Sequence, residues 1–190
     1  MTERNTFVRS AHDLGLAAWL GGSLMGAVGV NGAAEEEGVT EVGTARIASA
    51  GWARWAPLGA VAIGAHLLGG AGILAANRDR VRGQKGVTAS TVAKTVLTGA
   101  ALAATAYARI LGKKVDLATS QKKEDQEAAE EFPVDLSQAQ SQLALMQWAV
   151  PALTAGLVVL NAVHGEQQRP SQQVRGALRH TLDAVNPQKR

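Results

Sequence analysis

The sequence predicts an all-α, polytopic integral membrane protein: four transmembrane helices in an antiparallel bundle, plus a short amphipathic C-terminal cytoplasmic helix. Three observations carry this expectation. Four stretches, Leu14 to Ala34, Trp55 to Asn77, Thr95 to Ala108 and Leu136 to Gly165, contain no Asp, Glu, Lys or Arg. The charges outside those stretches divide unequally between the two sides that four crossings create, and tryptophans gather near the ends of the apolar runs.

A hydrocarbon core about 30 Å thick needs roughly 20 apolar residues in a helix. The first two runs meet that length, giving spans near 12–32 and 55–77, and so does the apolar part of the last, near 141–164. The third run, Thr95 to Ala108, is shorter. It spans near 92–111 if Lys94 and Arg109 lay their stems along the helix and hold their charges at the two interfaces. A water-soluble helix would need a polar face repeating every 3.6 residues. Leu14 to Val30 offers only Trp19 and Ser23 for that purpose, and Trp55 to Ala76 only Trp55 and His66.

Four spans put both termini and the Arg78 to Lys85 loop on one side. Counting Lys94, that side holds twelve of the 19 Lys and Arg residues, against seven on the other. The positive-inside bias therefore places the N- and C-termini in the cytoplasm, in a plasma-membrane setting. The opposite side holds eleven of the 16 acids, which agrees with this placement. Trp52, Trp55 and Trp148 then read as an outer aromatic belt, with Trp19 near the cytoplasmic end of the first span. The first apolar run is too long for a cleavable signal peptide. There are no cysteines, so disulfides, thiolate metal sites and thiol catalysis are excluded.

Lipid tails are as apolar as leucine, so membrane helices associate by close approach at small residues. Ala18, Gly22 and Gly26 form one such row in the first span. Gly64 and Gly69 close two further pairs in the second, and Gly99 with Ala103 forms a pair in the third. These rows suit packing within the chain, a homo-oligomer, or docking on a larger membrane protein complex. Pro57 falls in the first turn of the expected second span, where it does no harm. Pro151 lies deeper and predicts a kink.

Candidate chemistry rests on three histidines. His66 is near mid-span, where an ionisable group is a functional hypothesis by default. Its plain role is a neutral imidazole hydrogen-bonded to a hydroxyl or carbonyl of a neighbouring helix, with Thr154, Thr98 and Ser23 as candidates; the alternative is a ligand, proton-handling or cofactor role. His12, beside Asp13, and His164 sit at the cytoplasmic ends of the first and fourth spans. They could approach at a common depth and bind haem or a metal. His66, roughly 18 Å of helix rise from that boundary, would not join them easily. No paired carboxylates, phosphate-cradling loop or nucleophile motif lies in the spans, so catalysis is not expected and no cofactor other than haem is suggested.

Two polar segments complete the chain. The outer loop near 112–139 reads as charged and flexible. In the cytoplasmic tail, 169–190, Ser171 can cap a helix whose apolar positions include Val174 and Leu178, flanked by Arg175 and Arg179. Such a helix suits anionic lipids of the inner leaflet or a groove on a partner. Nucleic acid is not an expected partner, because the basic balance comes from topology signals and this short tail.

The run His12-Asp13-Leu14-Gly15-Leu16-Ala17-Ala18-Trp19-Leu20-Gly21-Gly22 resembles the opening helix of copper-resistance D-like membrane domains. The Ala- and Gly-rich composition and the closing His164-Gly165-Glu166-Gln167-Gln168-Arg169-Pro170 resemble uncharacterised actinobacterial four-helix integral membrane proteins. The first resemblance implies metal or haem handling by membrane histidines; the second brings no activity. The expectation is a non-catalytic integral membrane component, a structural or accessory subunit associating with itself or with a larger assembly. A haem- or metal-binding membrane protein is the alternative, and a small membrane carrier or channel centred on His66 a third.

Overall fold

The computed structural model describes residues 5–78, 81, 85–125, 127 and 135–167, without the side chains of 85 and 164–167. The tail with Val174, Arg175, Leu178 and Arg179 lies outside the described residues, as does the centre of the outer loop at 128–134. All regular structure among the described residues is helical. The first rod consists of α1 (Thr6–Met25), a π-helical turn (Gly26–Val30) and α2 (Asn31–Glu37). It is followed by α3 (Glu41–Ala76), α4 (Lys85–Thr119) and α5 (Leu136–Gln167).

Each of the four rods is long and apolar enough to cross a membrane. They contain 32, 36, 35 and 32 residues. At 1.5 Å per residue they reach about 48–54 Å, well beyond a hydrocarbon core of about 30 Å. The charge-free runs therefore mark only the middles of the helices. α4 continues through Thr119 and α5 begins at Leu136, so both ends of the expected outer loop are helical. The second rod starts at Glu41, because Thr40 in extended conformation accepts a 3.0 Å hydrogen bond from the Gly43 N–H and caps it. Glu41 in the first turn also suits the positive end of the helix dipole.

That early start corrects the reading of Pro57, which lies in the interior of α3 rather than in its first turn. Its missing N–H removes the i+4 donor for the Ala53 carbonyl, as Pro151 does for the carbonyl of Gln147 in α5.

α1 packs chiefly on α3 and α4 on α5, while α1 against α5 joins the two pairs; α3 and α4 meet only slightly. The α1–α3 seam is built at glycines. A Cβ on Gly15 would lie 2.5 Å from the Ala62 carbonyl oxygen and from the His66 backbone nitrogen. One on Gly69 would lie 2.6 Å from the His12 backbone nitrogen, and one on Gly72 2.7 Å from Val8. Further along, Gly22 lies under the Trp55 ring and Gly26 under that of Trp52.

The seam residues of α1, Val8, His12, Gly15, Trp19, Gly22 and Gly26, alternate steps of four and three. So do Trp52, Trp55, Gly59, Ala62, His66 and Gly69 on α3. This is the spacing that keeps one helix face on its neighbour. A strict four-residue row drifts off that face, which explains why several expected packing residues lie elsewhere. Ala18, Gly99 and Ala103 are exposed, and nothing stands within 4 Å of a Cβ built on Gly64 or Gly99. Gly22, Gly26 and Gly69 do face the neighbouring helix.

Two buried clusters tie the pairs together. Trp19, Ala101 and Val150 form one, flanked by Ile63, Leu102 and Leu153. Ala45, Leu111, Val115 and Ala139 form the other, near the α2–α3 connection.

Because the groups facing Gly15 are backbone atoms, which cannot rotate away, Gly15→Ala is expected to destabilise the detergent-solubilised protein by about 1–3 kcal/mol. Gly64→Ala, facing open space, should leave stability within about 0.5 kcal/mol. Unfolding midpoints in a denaturing-detergent titration check the pair.

Candidate functional site

Where α3 and α4 diverge, a cavity of about 1170 Å³ opens, with walls from every rod. All four tryptophans of the chain border it, although the sequence reading places three of them in a lipid-facing belt. Trp52 and Trp55 turn inward because Gly26 and Gly22 leave room for their rings. Trp19 is 2% exposed, Trp52 and Trp55 are partly buried, and Trp148 is the most exposed, at 57%.

The cavity is graded along the helices. One end is lined by Trp19, Ala27, Gly59, Ile63 and Val150, and the other by Glu35, Glu41, Arg109, Lys113 and Asp116. At the charged end, Lys113 pairs with Asp116 at 2.9 Å. Glu35, Glu41 and Arg109, all exposed, make no ion pair among the described residues.

Between the two ends lies a polar relay. The Trp52 indole N–H donates to Asn31 Oδ1 at 2.9 Å, and Asn31 Nδ2 donates to Gln147 Oε1 at 2.7 Å. An indole N–H only donates, so it fixes which way the Asn31 amide points. The π-helical turn immediately precedes Asn31, whose N–H bonds the Gly26 carbonyl five residues back. This wide turn sets the direction of Asn31 toward both partners. Deeper, Trp19 Nε1 donates to Thr105 Oγ1 at 3.2 Å, and Thr105 bonds its own helix at the Ala101 carbonyl. Ala53 and Gln147, the residues whose carbonyls lost their proline-side donors, are also in the wall. Irregular backbone hydrogen bonding at membrane depth is tolerated where it lines a cavity.

A second constellation lies at the other end of the seam. The His12 and His66 ring centroids are 4.2 Å apart with a 36° tilt. His66 Nδ1 donates to the His12 carbonyl at 3.1 Å, which fixes its proton on that nitrogen. His12 Nδ1 is 2.9 Å from Asp13 Oδ1, and the Trp19 ring stands edge-on to His66 at 6.1 Å. This corrects the expectation that His66 lies too deep to meet His12. α1 begins at Thr6, and the seam sets Gly15 against His66, so the two histidines share one level. The hydrogen-bond partner of His66 is a carbonyl of the neighbouring helix, as expected, but it is that of His12 and not a group of Thr154, Thr98 or Ser23. Both Nδ1 atoms are engaged, His66 with the His12 carbonyl and His12 with Asp13. Among the described residues no three His, Asp or Glu side chains are grouped to hold a metal ion. His164 belongs to α5 by its backbone, and its side chain lies outside the described residues.

Sequence reasoning missed Asn31, Gln147, Thr105 and the charged end of the cavity. The available signal was the amides inside two charge-free runs, Asn31 in the first and, among five in the fourth, Gln147. No protein family, curated protein or solved structure matches the chain.

Replacing Asn31 by Leu strands both the Trp52 N–H and the Gln147 carbonyl. The expected loss is about 0.6–1.7 kcal/mol for each interhelical bond. In a double-mutant cycle with Gln147→Leu the two effects should couple, whereas Ser141→Ala, on an exposed position, should add independently.

Proposed function

We propose that this chain is a non-catalytic integral membrane component of the plasma membrane, four helices antiparallel with both termini cytoplasmic, that receives an amphipathic molecule in the cleft between its two helix pairs. The observation that carries this reading is the grading of the cavity from Trp19, Ile63 and Val150 to Glu35, Glu41 and Arg109. Sites for small ligands are mostly apolar concavities with a few placed polar groups. This one continues from the expected hydrocarbon level to rod ends that project past it. Two of its amides, Asn31 and Gln147, are engaged with each other and with Trp52.

A specific observation favours a second use of the same protein as an accessory subunit. The apolar window of α4 is only 6% buried by the rest of the chain, against 22–33% for the other rods. That helix offers the largest free face to another membrane helix or a second copy.

The natural absence of cysteine permits a direct topology test. Single-cysteine variants Asn5→Cys and Gly86→Cys should react with an impermeant maleimide only after the cytoplasmic face is opened. Val39→Cys and Gln121→Cys should react in intact cells. Labelling of all four in intact cells, or recovery of the chain in the aqueous fraction without detergent, overturns the assignment.

A further inference from the structure

We propose that the cleft holds a zwitterionic aminophospholipid, with its phosphate at Arg109, its ammonium group at Glu35 and Glu41, and an acyl chain running inward past Trp52 toward Trp19 and Ile63. This rests on the membrane placement proposed above and names the ligand of the same cleft.

The cavity has room for a chain-bearing ligand. At about 1170 Å³ the cavity exceeds the roughly 300–1,000 Å³ of ordinary small-molecule sites, and its length along the helices suits a chain better than a compact ring. The direction of the ligand follows from the grading. The apolar end lies beside Trp19, Gly59, Ile63 and Val150, within the charge-free parts of α1, α3 and α5. Arg109 stands where the charge-free run of α4 stops. Lys113 and Asp116 lie one and two turns further out, about 6 and 10 Å by helix rise. A molecule with an apolar tail and a charged head therefore enters with its head at the level of the lipid headgroups.

The charge left over at the rim selects the head. Lys113 and Asp116 neutralise one another. What remains is one guanidinium, Arg109 on α4, and two carboxylates, Glu35 on α2 and Glu41 on α3, all in the wall of the same cleft. A guanidinium matches phosphate as a bidentate donor, and a primary ammonium supplies three donors for carboxylates. A purely anionic head would satisfy Arg109 and face two uncompensated acids. A head carrying both signs satisfies all three.

The test uses the protein purified in mild detergent and supplied with an equimolar mixture of phosphatidylethanolamine and phosphatidylglycerol, followed by native mass spectrometry. One phosphatidylethanolamine should be retained in preference to phosphatidylglycerol. Arg109→Gln should reduce its retention roughly tenfold, the scale of one charge-assisted hydrogen bond. The double variant Glu35→Gln/Glu41→Gln should shift the preference toward phosphatidylglycerol. All three positions are exposed, so the variants should keep the wild-type unfolding midpoint, which is measured alongside. Equal retention of both lipids by the wild type, or retention unchanged in every variant, means an unselective lipid annulus and overturns the proposal. That result is distinct from loss of the membrane reading, which would show as a chain soluble without detergent.

Discussion

The structure depends on one close approach, that of α1 to α3 at Gly15 and Gly69. In a bilayer the apolar side chains gain nothing by leaving lipid for one another, so helices are held by shape and by the few polar groups that find partners. At Gly15 the neighbour is main chain, the Ala62 carbonyl and the His66 nitrogen, and no larger residue fits without moving a helix. The rest of the seam inherits its register from that contact. It lays His12 over His66, sets Trp55 and Trp52 on Gly22 and Gly26, and brings the Trp52 N–H to Asn31.

The number and order of the helices were legible because the runs without charge stand out in any reading of the chain, the pattern expected where a charge inside hydrocarbon would be costly. The helix ends were not legible for the same reason. Beyond the hydrocarbon level a helix carries charge freely, so Arg46 and Arg54 in α3 mark no boundary. The error propagated to Pro57, whose place in its helix depends on where the helix begins. Small residues at four-residue spacing were a poor guide to contact within the chain, because the seam alternates threes and fours. Ala18 misses it by a single position, next to Trp19, which is 2% exposed. The meeting of His12 with His66 was hidden because it depends on how two helices are offset, and composition holds no information on that offset.

The cleft was the least legible feature. Its walls come from residues that look unrelated in sequence: tryptophans that resemble a lipid belt, amides that resemble incidental polar positions, and acids that resemble a loop. Only the divergence of α3 from α4 joins them. The buried clusters explain where that divergence stops. Trp19, Ala101 and Val150 close the apolar end, and Ala45, Leu111, Val115 and Ala139 hold the rods together beside the charged one. The opening is thus framed by packed structure at both levels and is not a frayed end of the bundle.

The π-helical turn at Gly26–Val30 gives this segment a different kind of sensitivity. It accommodates more backbone per turn than an α-helix, and each residue of a regular helix advances the chain by about 100°. Removing one residue there would restore ordinary winding and leave Asn31 facing Trp52 and Gln147, because the wide turn already absorbs that residue. Removing one from a regular turn between Trp19 and Met25 would instead swing Asn31 away from both partners and offset everything up to the Thr40 cap. The first rod is therefore tolerant of a deletion at one turn and intolerant of it in the turns beside it.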